Sequence, residues 1–116
     1  MTVPDPEVRT TRYEVSCLPP DDIDAHCFTV TVEWRGRDLW AVMRHGSALG
    51  SDGEWDYEPS PSNREDDWLA THRFDLDTAL KLAKQAAPKL MTNGFTVADA
   101  LRFREARAAK HGGDRA

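Results

Sequence analysis

The carboxylates Asp52, Glu54, Asp56 and Glu58 alternate with Gly53, Trp55 and Tyr57, a spacing that could do chemistry. On an extended strand they would share one face at intervals of roughly 6.5–7 Å, wide for holding one ion but suited to docking on a basic partner. The order is not that of a calcium loop, which needs glycine at its sixth position and a distant bidentate Glu. Asp22, Asp24 and His26 carry cation-binding atoms, yet one short loop supplies few ligands. Cys17, Cys27, His45 and His72 lack any Cys-x-x-Cys or His-x-x-x-His spacing, so no metal and no cofactor is expected. Ser47 and Ser51 lie in a glycine-rich loop, His45–Gly53, without a Gly-x-Ser-x-Gly elbow. Gly46, Gly50 and Gly53 make no phosphate-binding fingerprint either. A non-enzymatic protein is the expectation. A small ligand-binding or hydrolytic domain centred on residues 45–53 is an alternative.

Basic residues raise a second alternative, association with nucleic acid. Arg102, Arg104, Arg107 and Lys110 fall in a C-terminal helical stretch. A groove-reading helix gathers its basic residues on one face, and these spread around the cylinder. Nucleic acid is therefore not the expected partner. Arg104 intrudes on the apolar side, where its stem can cover apolar surface or its head can pair with an acidic residue of the sheet.

The elements that must position these groups follow from periodicity. Tyr13, Val15 and Cys17 alternate with polar neighbours, as in a half-buried strand ended by Pro19-Pro20. Phe28, Val30, Val32 and Trp34 make the clearest strand face. Gly36-Arg37 reads as a two-residue hairpin loop with glycine first. That loop pairs Arg35 with Asp38, Trp34 with Leu39, Val32 with Ala41 and Val30 with Met43. Trp40 and Val42 then point away from the apolar face. Together with Asp52, Glu54, Asp56 and Glu58 they form the expected surface for a protein partner. Setting Val15 against Val30 sends Cys17 and Cys27 to opposite faces, so two free thiols are expected.

A short fourth strand is expected over 54–57 and a fifth over Trp68–Phe74, where Trp68, Ala70, His72 and Phe74 alternate. Asp75 or Asp77 can cap an amphipathic helix whose face holds Leu76, Ala79, Leu80, Ala83 and Ala87, halted by Pro88. Asn93-Gly94 marks a turn, and Thr96 can cap a last helix to about Lys110. The fold class expected is α+β: an antiparallel meander of four to five strands, then two helices packed on one sheet face. Tyr13, Val15, Phe28, Val30, Val32, Trp34, Ala41 and Met43 would meet Leu76, Leu80 and Ala83. Residues 1–116 read as one domain: a loose lead-in over 1–10, sheet over 11–74, helices over 75–110 and a frayed tail over 111–116.

At 116 residues with 40% hydrophobic content, the chain can bury a core without staples. The net charge of −5 divides unevenly, −9 over residues 1–75 and +4 over 76–116. No run of apolar residues is long enough to span a bilayer, and the first residues do not read as a secretory signal. A cytoplasmic location is expected.

Within residues 52–80, Asp52-Gly53-Glu54-Trp55, Glu58-Pro59-Ser60-Pro61-Ser62, Asp67-Trp68-Leu69-Ala70 and Arg73-Phe74-Asp75-Leu76-Asp77-Thr78-Ala79-Leu80 resemble small uncharacterised proteins of actinobacteria and their phages. The resemblance implies an actinobacterial host or a phage or prophage accessory role. That group has no assigned activity, so it transfers no catalytic or binding residue.

Overall fold

The computed structural model describes residues 2–113 and shows an α+β chain. Five antiparallel strands follow one another in space as in sequence: β1 Arg12–Ser16, β2 Thr29–Trp34, β3 Trp40–Arg44, β4 Ser47–Leu49 and β5 Trp55–Tyr57. Helix α1, Asp66–His72, lies on one sheet face, and α2, Leu76–Ala86, on the other. A two-stranded hairpin, β6 Met91–Thr92 and β7 Phe95–Thr96, leads into α3, Val97–Gly113.

The α2 face holds the main core. Val30, Val32 and Val42 are wholly buried there with Trp40, Leu49 and Phe28. Ala79 and Ala83 of α2 are small enough to let the helix approach β2 and β3 closely. Asp75 caps α2 by accepting from the Thr78 backbone N–H at 2.8 Å, and that bond holds its carboxyl below the ordinary range. Asn93-Gly94 forms the β6–β7 turn, with both residues at positive φ. Thr96 and Asp99 cap α3 reciprocally. The Thr96 backbone N–H holds the Asp99 carboxyl below its ordinary range.

The β2–β3 register differs from the expected one by a single residue. The pairs are Thr31–Met43, Val32–Val42, Glu33–Ala41 and Trp34–Trp40. Leu39 donates to the Gly36 carbonyl, so the tight turn is centred on Arg37 and Asp38, at φ 53° and 58°. Gly36, at φ 87°, adds a bulge. A slip of one residue exchanges the faces of a strand. Trp40 and Val42 therefore face α2, at 7% and 0% exposure, and are not a docking surface. Ala41 and Met43 turn to the opposite face and pack with Ala48 under Trp68. Trp34, on the expected face, sits at the sheet margin and remains partly exposed.

Three further expectations change. Residues 66–72 are helical, so Trp68 and His72 stack one turn apart, with ring centroids at 4.1 Å. Only Phe74 keeps the expected extended pairing, exchanging backbone bonds with Trp40. The glycine-rich stretch contains strand β4, and Ala48, Leu49 and Gly50 are buried rather than looped out. Helix α3 reaches the core through Val97 and Ala100 but does not lie across the sheet beside α2. Cys17 and Cys27 are both free thiols, as expected, although Cys17 lies just past β1 and Cys27 in a single helical turn before β2. The last helix runs on to Gly113, three residues into the tail expected to fray over 111–116, and residues 114–116 lie outside the described residues.

Candidate polar groove on the uncovered sheet face

Antiparallel pairing puts Arg12 opposite Glu33, Glu14 opposite Thr31 and Ser16 opposite Thr29. These side chains lie on the face away from α2. Helix α1 covers that face only over β3 and β4. Over β1 and β2 the polar residues floor a groove of about 890 Å³. The loop after β1 lines it with Leu18, Pro20, Asp22, Ala25 and His26, and the β3 side with Met43, Arg44, His45 and Gly46.

The floor is rich in hydrogen-bonding groups held in place by local contacts. Thr31 Oγ1 donates to Glu33 Oε2 at 2.6 Å. Ser16 Oγ donates to the Phe28 carbonyl at 2.7 Å and accepts from the Leu18 N–H. Arg12 and Glu14 pair at 3.6 Å and stay largely in solvent. The arrangement offers donors, acceptors and both signs of charge, which suits a polar segment of mixed charge.

Most other charged side chains near the sheet are bound to one another. Glu58, at 10% side-chain exposure, receives Arg73 at 2.6 Å, Arg35 at 3.3 Å and Arg64 at 3.5 Å. Burial opposes ionisation of Glu58, but the bond and charge of Arg73, followed by Arg35, outweigh it and hold the carboxyl below its ordinary range. Burial pushes the Arg73 guanidinium down and Glu58 pulls it back up. Arg73 also lies over the Trp68 ring at 5.3 Å. His72 Nε2 contacts Asp56 Oδ2 at 2.7 Å, and its Nδ1 lies 2.7 Å from the Trp68 carbonyl.

The expected acidic strip is therefore divided. Asp52 and Glu54 are exposed, with Asp52 accepting from the Glu54 N–H across a turn. Asp56 and Glu58 are engaged by His72 and by the three arginines. Trp55 packs against the main core, whereas Tyr57 is 80% exposed rather than inward.

The C-terminal basic residues are also engaged. Arg102 pairs with Asp99 one turn away. Arg104 reaches Asp21 and Asp22, and Arg107 reaches Asp22 and Asp24. Asp22, with no side-chain exposure, also accepts from the Asp24 N–H at 2.8 Å. Asp22 and Asp24 thus face guanidinium groups, and His26 lies at the groove wall. Arg104 finds its acidic partner in the loop after β1 rather than on a strand. Lys110 is exposed. Among the described residues, no three His, Cys, Asp or Glu side chains converge as a metal-binding set.

Thr29, Thr31 and Glu33 alternate with the apolar residues of β2 and so take its outward face, but nothing in the sequence singles them out. The missed signal was the acidic run Glu65-Asp66-Asp67 before Trp68, with His72 four residues on, which marks a helix start. Reading it would have placed a cover over β3 and β4 and left β1 and β2 open. Among the described residues no helix is long and apolar enough to cross a membrane. No protein-family model, curated protein or solved structure matches this chain.

Proposed function

We propose that this chain is a cytoplasmic, non-enzymatic binding protein that takes a polar, mixed-charge segment of a protein partner on the open face of β1 and β2. The observation that carries this reading is the groove itself: a recessed hydroxyl- and charge-lined floor over β1 and β2, the part of the sheet face that no helix among the described residues covers. Support also comes from the carboxylates beyond the groove, where Glu58 and Asp56 are engaged internally. The resemblance over residues 52–80 favours an accessory role in an actinobacterial or phage setting.

The test is a groove-filling substitution. Thr31→Arg places a long side chain on the floor, while Lys84→Ala alters α2 on the opposite side. Partner captured by the wild-type chain from its host, then purified, should bind Thr31→Arg at least roughly tenfold more weakly and Lys84→Ala unchanged. Far-UV circular dichroism checks that both variants are folded. Undiminished binding by Thr31→Arg overturns the reading. A steep loss of binding with salt would point instead to phosphate contacts through α3.

A further inference from the structure

We infer that the outer edge of β1 pairs with β1 of a second copy of this chain, about a two-fold axis through Tyr13. Strand β1 ends the sheet, and no strand among the described residues pairs with its outer side. The Trp34 N–H donates to the Thr11 carbonyl, and Arg12 lies opposite Glu33. By antiparallel alternation, Thr11, Tyr13 and Val15 then turn their backbone groups toward β2. Arg12, Glu14 and Ser16 turn theirs outward, where an added strand can bond them.

Charge selects both the occupant and the register. Centring two copies on Glu14 would oppose two carboxylates, and centring them on Arg12 would oppose two guanidinium groups. Centring on Tyr13 sets Arg12 opposite the partner's Glu14 and Glu14 opposite the partner's Arg12, both as hydrogen-bonded pairs. Opposite charges directly across strands attract, and like charges repel. Tyr13 meets the partner's Tyr13 in the close, non-bonded pair on the α2 side. It is half-buried there, against Trp40 at 5.6 Å. Edge charges commonly deter strand addition. Here two opposite charges, two residues apart, deter strands of a single sign and match a copy of themselves.

The test is sedimentation equilibrium of charge-swap variants across a concentration series. Arg12 and Glu14 pair with each other largely in solvent, so single swaps should leave the circular dichroism spectrum unchanged. The wild type should dimerise. Arg12→Glu alone and Glu14→Arg alone should each raise the dissociation constant at least roughly tenfold. An equimolar mixture of the two should form a heterodimer, since each glutamate then meets an arginine. The double swap in one chain should restore the homodimer. A wild type monomeric throughout, single swaps that dimerise like wild type, or a mixture that stays monomeric would each overturn the inference. Arg12 and Glu14 also line the groove, so the groove reading is tested separately by binding to Thr31→Arg, which leaves both of them in place.

Discussion

Glu58 ties three separate segments of the chain together. Three arginines converge on it from the β2–β3 loop, from the chain before α1 and from the end of α1. Arg73, at 5% side-chain exposure, has little access to water as a replacement partner. Glu58→Gln should cost roughly 2–4 kcal/mol in chemical denaturation, towards the lower end because Arg35 and Arg64 keep some contact with solvent. The folded carboxyl titrates below its ordinary value of 4.5. Its stabilisation is therefore complete above the unfolded-state value and is lost as pH falls from about 4.5 through the lower folded-state value. Stability measured against pH should show a shallower acid limb in Glu58→Gln than in wild type. Equal slopes would mean that the cluster contributes nothing through ionisation.

Among the elements, the turn between β2 and β3 decides which residues form the core. Arg37 and Asp38 both occupy left-handed backbone, which costs a non-glycine residue roughly 1–2 kcal/mol. Asp38→Gly relieves that strain and adds freedom to the unfolded chain, so a net gain of about 0.5 kcal/mol is expected. Thermal unfolding should show a midpoint a few degrees higher, and a lower midpoint would contradict the turn geometry. The same turn limits what the sequence discloses. Apolar alternation in Val30, Val32 and Trp34 identified β2 and its inward face without reference to any loop. The face of β3 depended on counting loop residues. Glycine at position 36 suggested the first loop position, whereas the structure uses it as a bulge and bends at Arg37-Asp38. Helix α2 was legible because its apolar arc and its cap at Asp75 agree. Helix α1 was not, because in seven residues Trp68, Ala70 and His72 fit two-residue alternation as well as a helical turn. The groove was hidden for the same reason: which polar strand face stays open depends on where α1 lies.

Across the whole molecule, the acidic loop after β1 and Arg104 and Arg107 of α3 join distant parts of the sequence. The opposite charges of the chain's two parts thus have a structural use. Asp22 is the buried centre of this contact, with Arg104 and Arg107 each 3.5 Å away. Asp22→Ala should loosen α3 while β2 and β3 remain formed. Hydrogen exchange should then lose protection over residues 97–110 and retain it over 29–44. Loss over both regions would show that α3 and the sheet open as one unit.

Arg44 illustrates a different kind of join. Its Nη2 shares two hydrogens among the carbonyls of Cys27 and Met91 and Thr92 Oγ1, at 2.8–3.2 Å, and Thr92 Oγ1 itself donates to the Cys27 carbonyl. Two of the three acceptors are main-chain oxygens, which every amino acid carries. Exchanging the residue at 27 or 91 leaves those oxygens where they are. Adding or removing a residue beside either one moves them out of reach. This seam of the protein is therefore sensitive to length and largely indifferent to spelling.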